Sequence, residues 1–115
     1  MDAGAESYRA ALRRARREAE SQIASLTRDL TGVIDASLSS NADDEHDPEG
    51  ATIAFERAQL AALLAGARRR LTDLDAALRR LDAGTYGRCE RCGRPIPAQR
   101  LAVRPSARTC VSCAS

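Results

Sequence analysis

The chain has 115 residues, room for one domain or for a small domain with an extension. Large core residues (Leu, Ile, Val, Phe and Met) number only 21, against 23 alanines, and tryptophan is absent, which argues against a thick globular core. Its 18 arginines are nearly matched by 16 carboxylates, leaving a net charge of +2. That balance disfavours both a disordered polyelectrolyte and a strongly basic DNA-coating protein. Ala, Arg, Leu and Glu together make up 60 residues, a composition typical of long helices or a coiled coil.

Residues 6–39 carry helical periodicity without a proline. Leu12, Ala15, Ala19, Ile23, Leu26, Leu30, Val33 and Ile34 recur at steps of three and four. At 1.5 Å per residue such a helix is about 50 Å long. The pattern breaks at residues 40–48, SNADDEHDP, where Asp47-Pro48 is a good helix start: the residue before proline is pushed out of the helical region, and proline suits the first helical position. Residues 49–83 then form a heptad seam through Leu60, Leu64, Ala67, Leu71, Leu74, Leu78 and Leu81, and Gly84 reads as the terminating cap.

Two long helices joined by so short a turn are expected to pack as an antiparallel hairpin over residues 1–84. A turn centred near Glu45 places Leu30 opposite Leu60, Leu26 opposite Leu64, Ile23 opposite Ala67, Ala19 opposite Leu71 and Leu12 opposite Leu78. The same register sets Arg14, Arg16 and Arg17 against Asp73 and Asp75, and Arg68–Arg70 against Glu18 and Glu20. Most of the arginine runs are thereby read as cross-helix pairs on a wet surface, each worth little, rather than as phosphate contacts.

Residues 85–115 differ in kind. They hold all four cysteines and three of the four prolines, and a segment this short needs a staple to fold. Cys89-Glu90-Arg91-Cys92 and Cys110-Val111-Ser112-Cys113 form two CxxC knuckles separated by 17 residues. Two residues between cysteines let both thiolates converge on one cation, and two such pairs complete a tetrahedral four-sulfur shell closed to water. One structural zinc ion is the expected occupant. A rubredoxin-like iron site has the same ligand set, and dithiol redox chemistry uses the same motif but in a βαβ context that this chain lacks. The N-terminus has no apolar stretch of the kind found in secretory signals, and no apolar run approaches a membrane span. The expected compartment is therefore the cytoplasm, with reduced cysteines and no membrane contact.

Charge is segregated along the chain. Residues 41–56 carry six acids and no arginine, whereas residues 57–88 and 89–115 are each +4. Four thiolates and one Zn²⁺ lower the last figure to about +2. Asp43–Glu49 can be a solvated turn in which Asp47 caps the second helix, or a set of carboxylates carried on a stalk to a metal-containing or basic site in a partner. His46, the only histidine, reads as exposed beside these acids rather than as a ligand.

The run from Gly84 to Cys113 resembles the four-cysteine zinc finger of the DksA/TraR family of bacterial transcription factors. The matching features are Gly84-x-Tyr86-Gly87-x-Cys89, Cys92-Gly93, Ile96, Arg100-Leu101, Pro105 and the closing CxxC. The resemblance implies a mainly α fold, with a long antiparallel helical hairpin followed by a small treble-clef or ribbon-like finger. It also implies a non-enzymatic protein that binds RNA polymerase rather than DNA. In that family the hairpin enters the polymerase secondary channel and points its tip at the active centre, and some members act with ppGpp. Better-known members carry a DxxDxA tip. Asp44 and Asp47 supply both aspartates here, while Glu49 stands where alanine is expected and Ala51 follows two positions later. The competing readings are a zinc-ribbon nucleic-acid-binding module and a transcript-cleavage factor shaped like the Gre proteins. Weak net basicity and the lack of an aromatic platform count against the first, and the four-cysteine finger counts against the second.

Overall fold

The computed structural model describes residues 2–39 and 48–114. Its elements are three helices, α1 (Asp2–Ser39), α2 (Pro48–Ala83) and α3 (Ala98–Val103), and a short 3₁₀ turn at Val111–Cys113. No helix among the described residues is long and apolar enough to cross a membrane. The candidate tip residues Asp44 and Asp47 lie outside the described residues, as does His46. Helix α1 begins ahead of the first periodic position, because Ala3, Ala5 and Glu6 are good helix formers with no proline among them.

The long helices form a hairpin whose described parts divide into two compact units, Met1–Glu18 with Arg70–Ser115, and Ala19–Arg69. In the second unit, Leu26, Leu64 and Ala67 make a buried cluster, with Ile23, Leu30 and Leu60 packed against it. These are the residues that the antiparallel register places opposite one another. Alanine at 67 lets the backbones approach closely enough for the facing side chains to interdigitate. In the first unit, Leu12 and Leu74 are the large side chains fully withdrawn from water. Ala77 is also fully buried in this unit, a position the heptad reading leaves off its seam.

Two ion pairs within the first unit report the register there. Arg16 Nε lies 2.6 Å from Asp75 Oδ1, and Arg9 Nη1 lies 2.6 Å from Asp82 Oδ1. In both pairs the residue numbers sum to 91, one more than the register inferred from the turn. Asp73 lies 3.9 Å from Arg108 Nη2 of the finger.

Helix α2 ends in a Schellman motif. The Gly84 N–H donates to the Leu81 carbonyl at 3.2 Å, and the Thr85 N–H donates to the Arg80 carbonyl at 2.9 Å. Gly84 takes φ +80°, the left-handed conformation that this cap requires and that glycine adopts without a Cβ penalty.

Candidate metal centre

The finger is built outward from one tight turn. Cys89 and Cys92 flank a knuckle closed by the Gly93 N–H donating to the Cys89 carbonyl at 2.9 Å, with Gly93 at φ +75°. An antiparallel bridge pairs Arg88 with Pro95. The chain thereby doubles back with the Cys89 N–H on the Arg94 carbonyl (2.8 Å) and the Ile96 N–H on the Gly87 carbonyl (2.7 Å). Pro97 introduces α3, whose Leu101 points into the finger. The chain returns so that the Glu90 N–H donates to the Arg108 carbonyl at 2.9 Å. The last turn then sets Cys113, its N–H donating to the Cys110 carbonyl at 3.1 Å.

The core of this small body is Cys89, Ile96, Leu101 and Ala107, with Tyr8, Tyr86, Cys110 and Cys113 packed against it. Tyr86 does two things. Its ring meets that of Tyr8 with centroids 5.1 Å apart and planes tilted by 55°, a favourable aromatic geometry. Its hydroxyl donates to the Pro105 carbonyl at 2.7 Å. Burial, and then the neighbouring Tyr8, push the Tyr86 hydroxyl up to about 12, so it remains a neutral donor. Sequence reasoning did not single out the Tyr8–Tyr86 contact. The available signal was Tyr8 one helical turn before Leu12 on the same apolar face.

All four sulfur atoms lie within 4.8 Å of one another, and the Cys92 and Cys110 Sγ atoms are 3.8 Å apart. A tetrahedral zinc–thiolate site with bonds of about 2.3 Å has sulfur–sulfur edges of about 3.8 Å, so this donor set fits that ion. The electrostatics agree. Backbone N–H groups of Cys92 and Cys110 draw the Cys89 thiol down to about 6. Hydrogen bonding to the Cys110 sulfur, followed by burial, pushes Cys113 up to about 12. Thiolates this close also repel one another, and a dication offsets that repulsion. A closed four-sulfur shell leaves no open position for substrate, so the chemistry such an ion supplies is structural.

Beside the cluster lies a cleft of about 440 Å³, bordered by Arg91, Arg100, Arg104 and Arg108 together with Asp73 and Glu90. Arg100 is held across the finger by its Nε–H donating to the Thr109 carbonyl at 2.8 Å. Burial, and then the neighbouring Arg108, lower the pKa of the Arg80 guanidinium from its ordinary value.

Paired long helices leading into a compact four-cysteine finger define a class of helical-hairpin proteins stapled by a C4 zinc site. Residues 84–115 match the family model of the prokaryotic dksA/traR C4-type zinc finger. The structure is similar to that of the transcription factor DksA2 from Pseudomonas aeruginosa, with a TM-score of 0.79 and 28% identity, covering 96% of this chain and 79% of that one. In sequence, 40 residues are 48% identical to the RNA polymerase-binding transcription factor DksA of Caulobacter vibrioides, over 35% of this chain and 28% of that protein. A stretch of 56 residues is 43% identical to YlyA of Bacillus subtilis, over 49% of this chain and 45% of that protein. The matched stretches span less than half the length of these curated relatives. Residues 84–115 are thus a C4 finger of the dksA/traR type, and its four cysteines take one zinc ion.

Proposed function

We propose that this chain is a non-enzymatic transcription regulator that binds RNA polymerase. In this reading Cys89, Cys92, Cys110 and Cys113 are the zinc ligands that hold the finger and, through Tyr86, the start of α1. The paired helices enter the polymerase secondary channel, and Asp44 and Asp47 are carried toward the active centre. The observation that carries the reading is the structural likeness to DksA2, which extends through the paired helices as well as the finger, with 96% of this chain covered. The charge map agrees: six acids in residues 41–56 suit a site where basic groups or metal ions await them. The alarmone ppGpp is carried in this reading as a candidate further ligand.

The test is co-purification with RNA polymerase, followed by in vitro transcription on promoters whose open complexes are short-lived. Binding together with a change in transcript yield is expected. A protein that does not co-purify with polymerase, or binds it without altering transcription, overturns the proposal.

The four arginines around the finger cleft favour one second reading, a nucleic-acid-binding zinc ribbon. It requires submicromolar affinity for duplex DNA that falls steeply with salt. The leading reading expects weak binding without sequence preference.

A further inference from the structure

Helix α2 is apolar on two sides and packed on one. Between Gly50 and Ala67 its only charged residues are Glu56 and Arg57. A helix that is apolar all round is normally buried all round, yet in this stretch the cluster shared with α1 lies on one side, through Leu60, Leu64 and Ala67. On the other side Ala51, Phe55, Ala58, Ala62 and Ala65 follow one another at steps of four, three, four and three, and all five are exposed. Each lies nine residues before a member of the buried seam, as Phe55 does before Leu64 and Ala58 before Ala67. Nine residues are about 2.5 turns, so the exposed line runs along the far side of α2. Its spacing is that of a second heptad seam. Phe55, the only phenylalanine of the chain, stands in this line at 72% exposure. A lone exposed ring is ordinary, but a ring within an uncharged line of heptad spacing is a knob that lacks its hole.

The same face supplies the hole. Ala54, Ala58 and Ala61 border a cleft of about 300 Å³ beside the line, with Gly50 and Arg57 at its edges. In a coiled coil each knob enters a hole made by four residues of the facing helix, and alanine and glycine leave such a hole open to a ring. A surface that carries both knob and hole is complementary to itself about a two-fold axis, as in an isologous dimer. Antiparallel pairing that sets Phe55 against Ala58 of a second copy also sets Ala62 against its Ala51. That register brings residues 44–56, with five acids and no arginine, toward residues 57–69, with three arginines and no acid. No ion pair among the described residues engages Glu56, Arg57, Arg68 or Arg69, so their charges remain for such a contact. Parallel pairing stacks like charges instead. A phosphate backbone finds no cation among the five residues of the line.

We propose that a second copy of this chain docks antiparallel on the far side of α2, each Phe55 seated in the alanine-lined cleft of the other copy. The inference stands apart from the function proposed above, because the pairing needs no polymerase.

The experiment is sedimentation equilibrium of the full-length, zinc-loaded chain, which gives the dimer dissociation constant for wild type, Phe55→Asp, Ala58→Glu, Phe55→Leu and Leu38→Asp. Wild type is expected to pass from monomer to dimer as concentration rises and to go no further. Phe55→Asp and Ala58→Glu are each expected to weaken the dimer by about tenfold or more, as losses at a buried interface centre do. Phe55→Leu keeps an apolar knob and is expected to stay within about fivefold of wild type. Leu38→Asp, at a residue of α1 that is also 72% exposed, is expected to stay within about twofold. Raising salt from about 0.1 M to about 1 M shortens screening from about 10 Å to about 3 Å and is expected to weaken the dimer, because its unlike ends attract. Zinc content and circular dichroism, expected to be unchanged in every variant, separate a lost surface from a lost fold. A chain that stays monomeric, a dimer that neither Phe55→Asp nor Ala58→Glu alters, or growth beyond the dimer overturns the inference. A dimer that salt tightens overturns the antiparallel arrangement. A monomeric chain whose Phe55→Asp variant loses binding to purified RNA polymerase assigns the face to the polymerase instead, which overturns the inference and leaves the proposed function standing.

Discussion

Leu12→Ala is the sharpest test of the packing argument. Leu12 is 0% exposed, in the compact unit that also contains Leu74 and Ala77 at 2% and 0%. The substitution deletes three buried carbons, worth about 2.4 kcal/mol at about 0.8 kcal/mol each. Neighbouring helix backbones cannot close the gap, so the cavity brings the total to about 3–4 kcal/mol. Better helix propensity in alanine returns only about 0.2 kcal/mol. The assay is urea unfolding of the zinc-loaded protein, followed by circular dichroism, with Leu38→Ala as the control because Leu38 is 72% exposed. The control is expected to stay within about 0.5 kcal/mol of wild type. A Leu12→Ala midpoint shift no larger than the control's, at unchanged slope, refutes the burial argument.

Other outcomes follow from the same geometry. Elemental analysis is expected to find one zinc per chain, and chelation is expected to unfold the finger while much of the helicity of α1 and α2 survives; a zinc content near zero, or a finger unaffected by chelation, contradicts this. Gly87→Ala is expected to cost about 1–2 kcal/mol in thermal unfolding, because Gly87 has φ +82° while the Leu101 methyl, 3.6 Å from the added carbon, is an ordinary contact. Gly32→Ala, in mid-helix with nothing within 4 Å of the added carbon, is expected to stabilise by up to about 1 kcal/mol, so the two glycine variants move stability in opposite directions. The double variant Asp44→Asn, Asp47→Asn is expected to bind polymerase as wild type does and to lose the transcriptional effect. Unchanged transcription where wild type acts clearly reduces the tip to a solvated turn.

The seam and the sulfur cluster were legible in the sequence because each depends on short spacings. Steps of three and four put Leu60, Leu64, Ala67, Leu71, Leu74, Leu78 and Leu81 on one stripe of α2, and every one of them is buried or half-buried. Two residues between cysteines brought each knuckle together locally, and four soft donors in a short segment named the ion. The glycine after Ala83 announced the end of α2, because a left-handed cap is a property of the residue itself. What the sequence could not determine are contacts between residues far apart in the chain that no repeat relates. Tyr8 meets Tyr86, Asp73 turns to Arg108, Arg9 reaches Asp82 and the Tyr86 hydroxyl finds the Pro105 carbonyl. The exposure of Val103 and Val111 was equally hidden, since apolar residues in a short finger read as core until the fold shows which of them fit. Periodicity selects the face of a helix that is buried. Which partner each side chain meets there is decided by how the folded chain fills space around it, and that information exists only once distant segments are packed together.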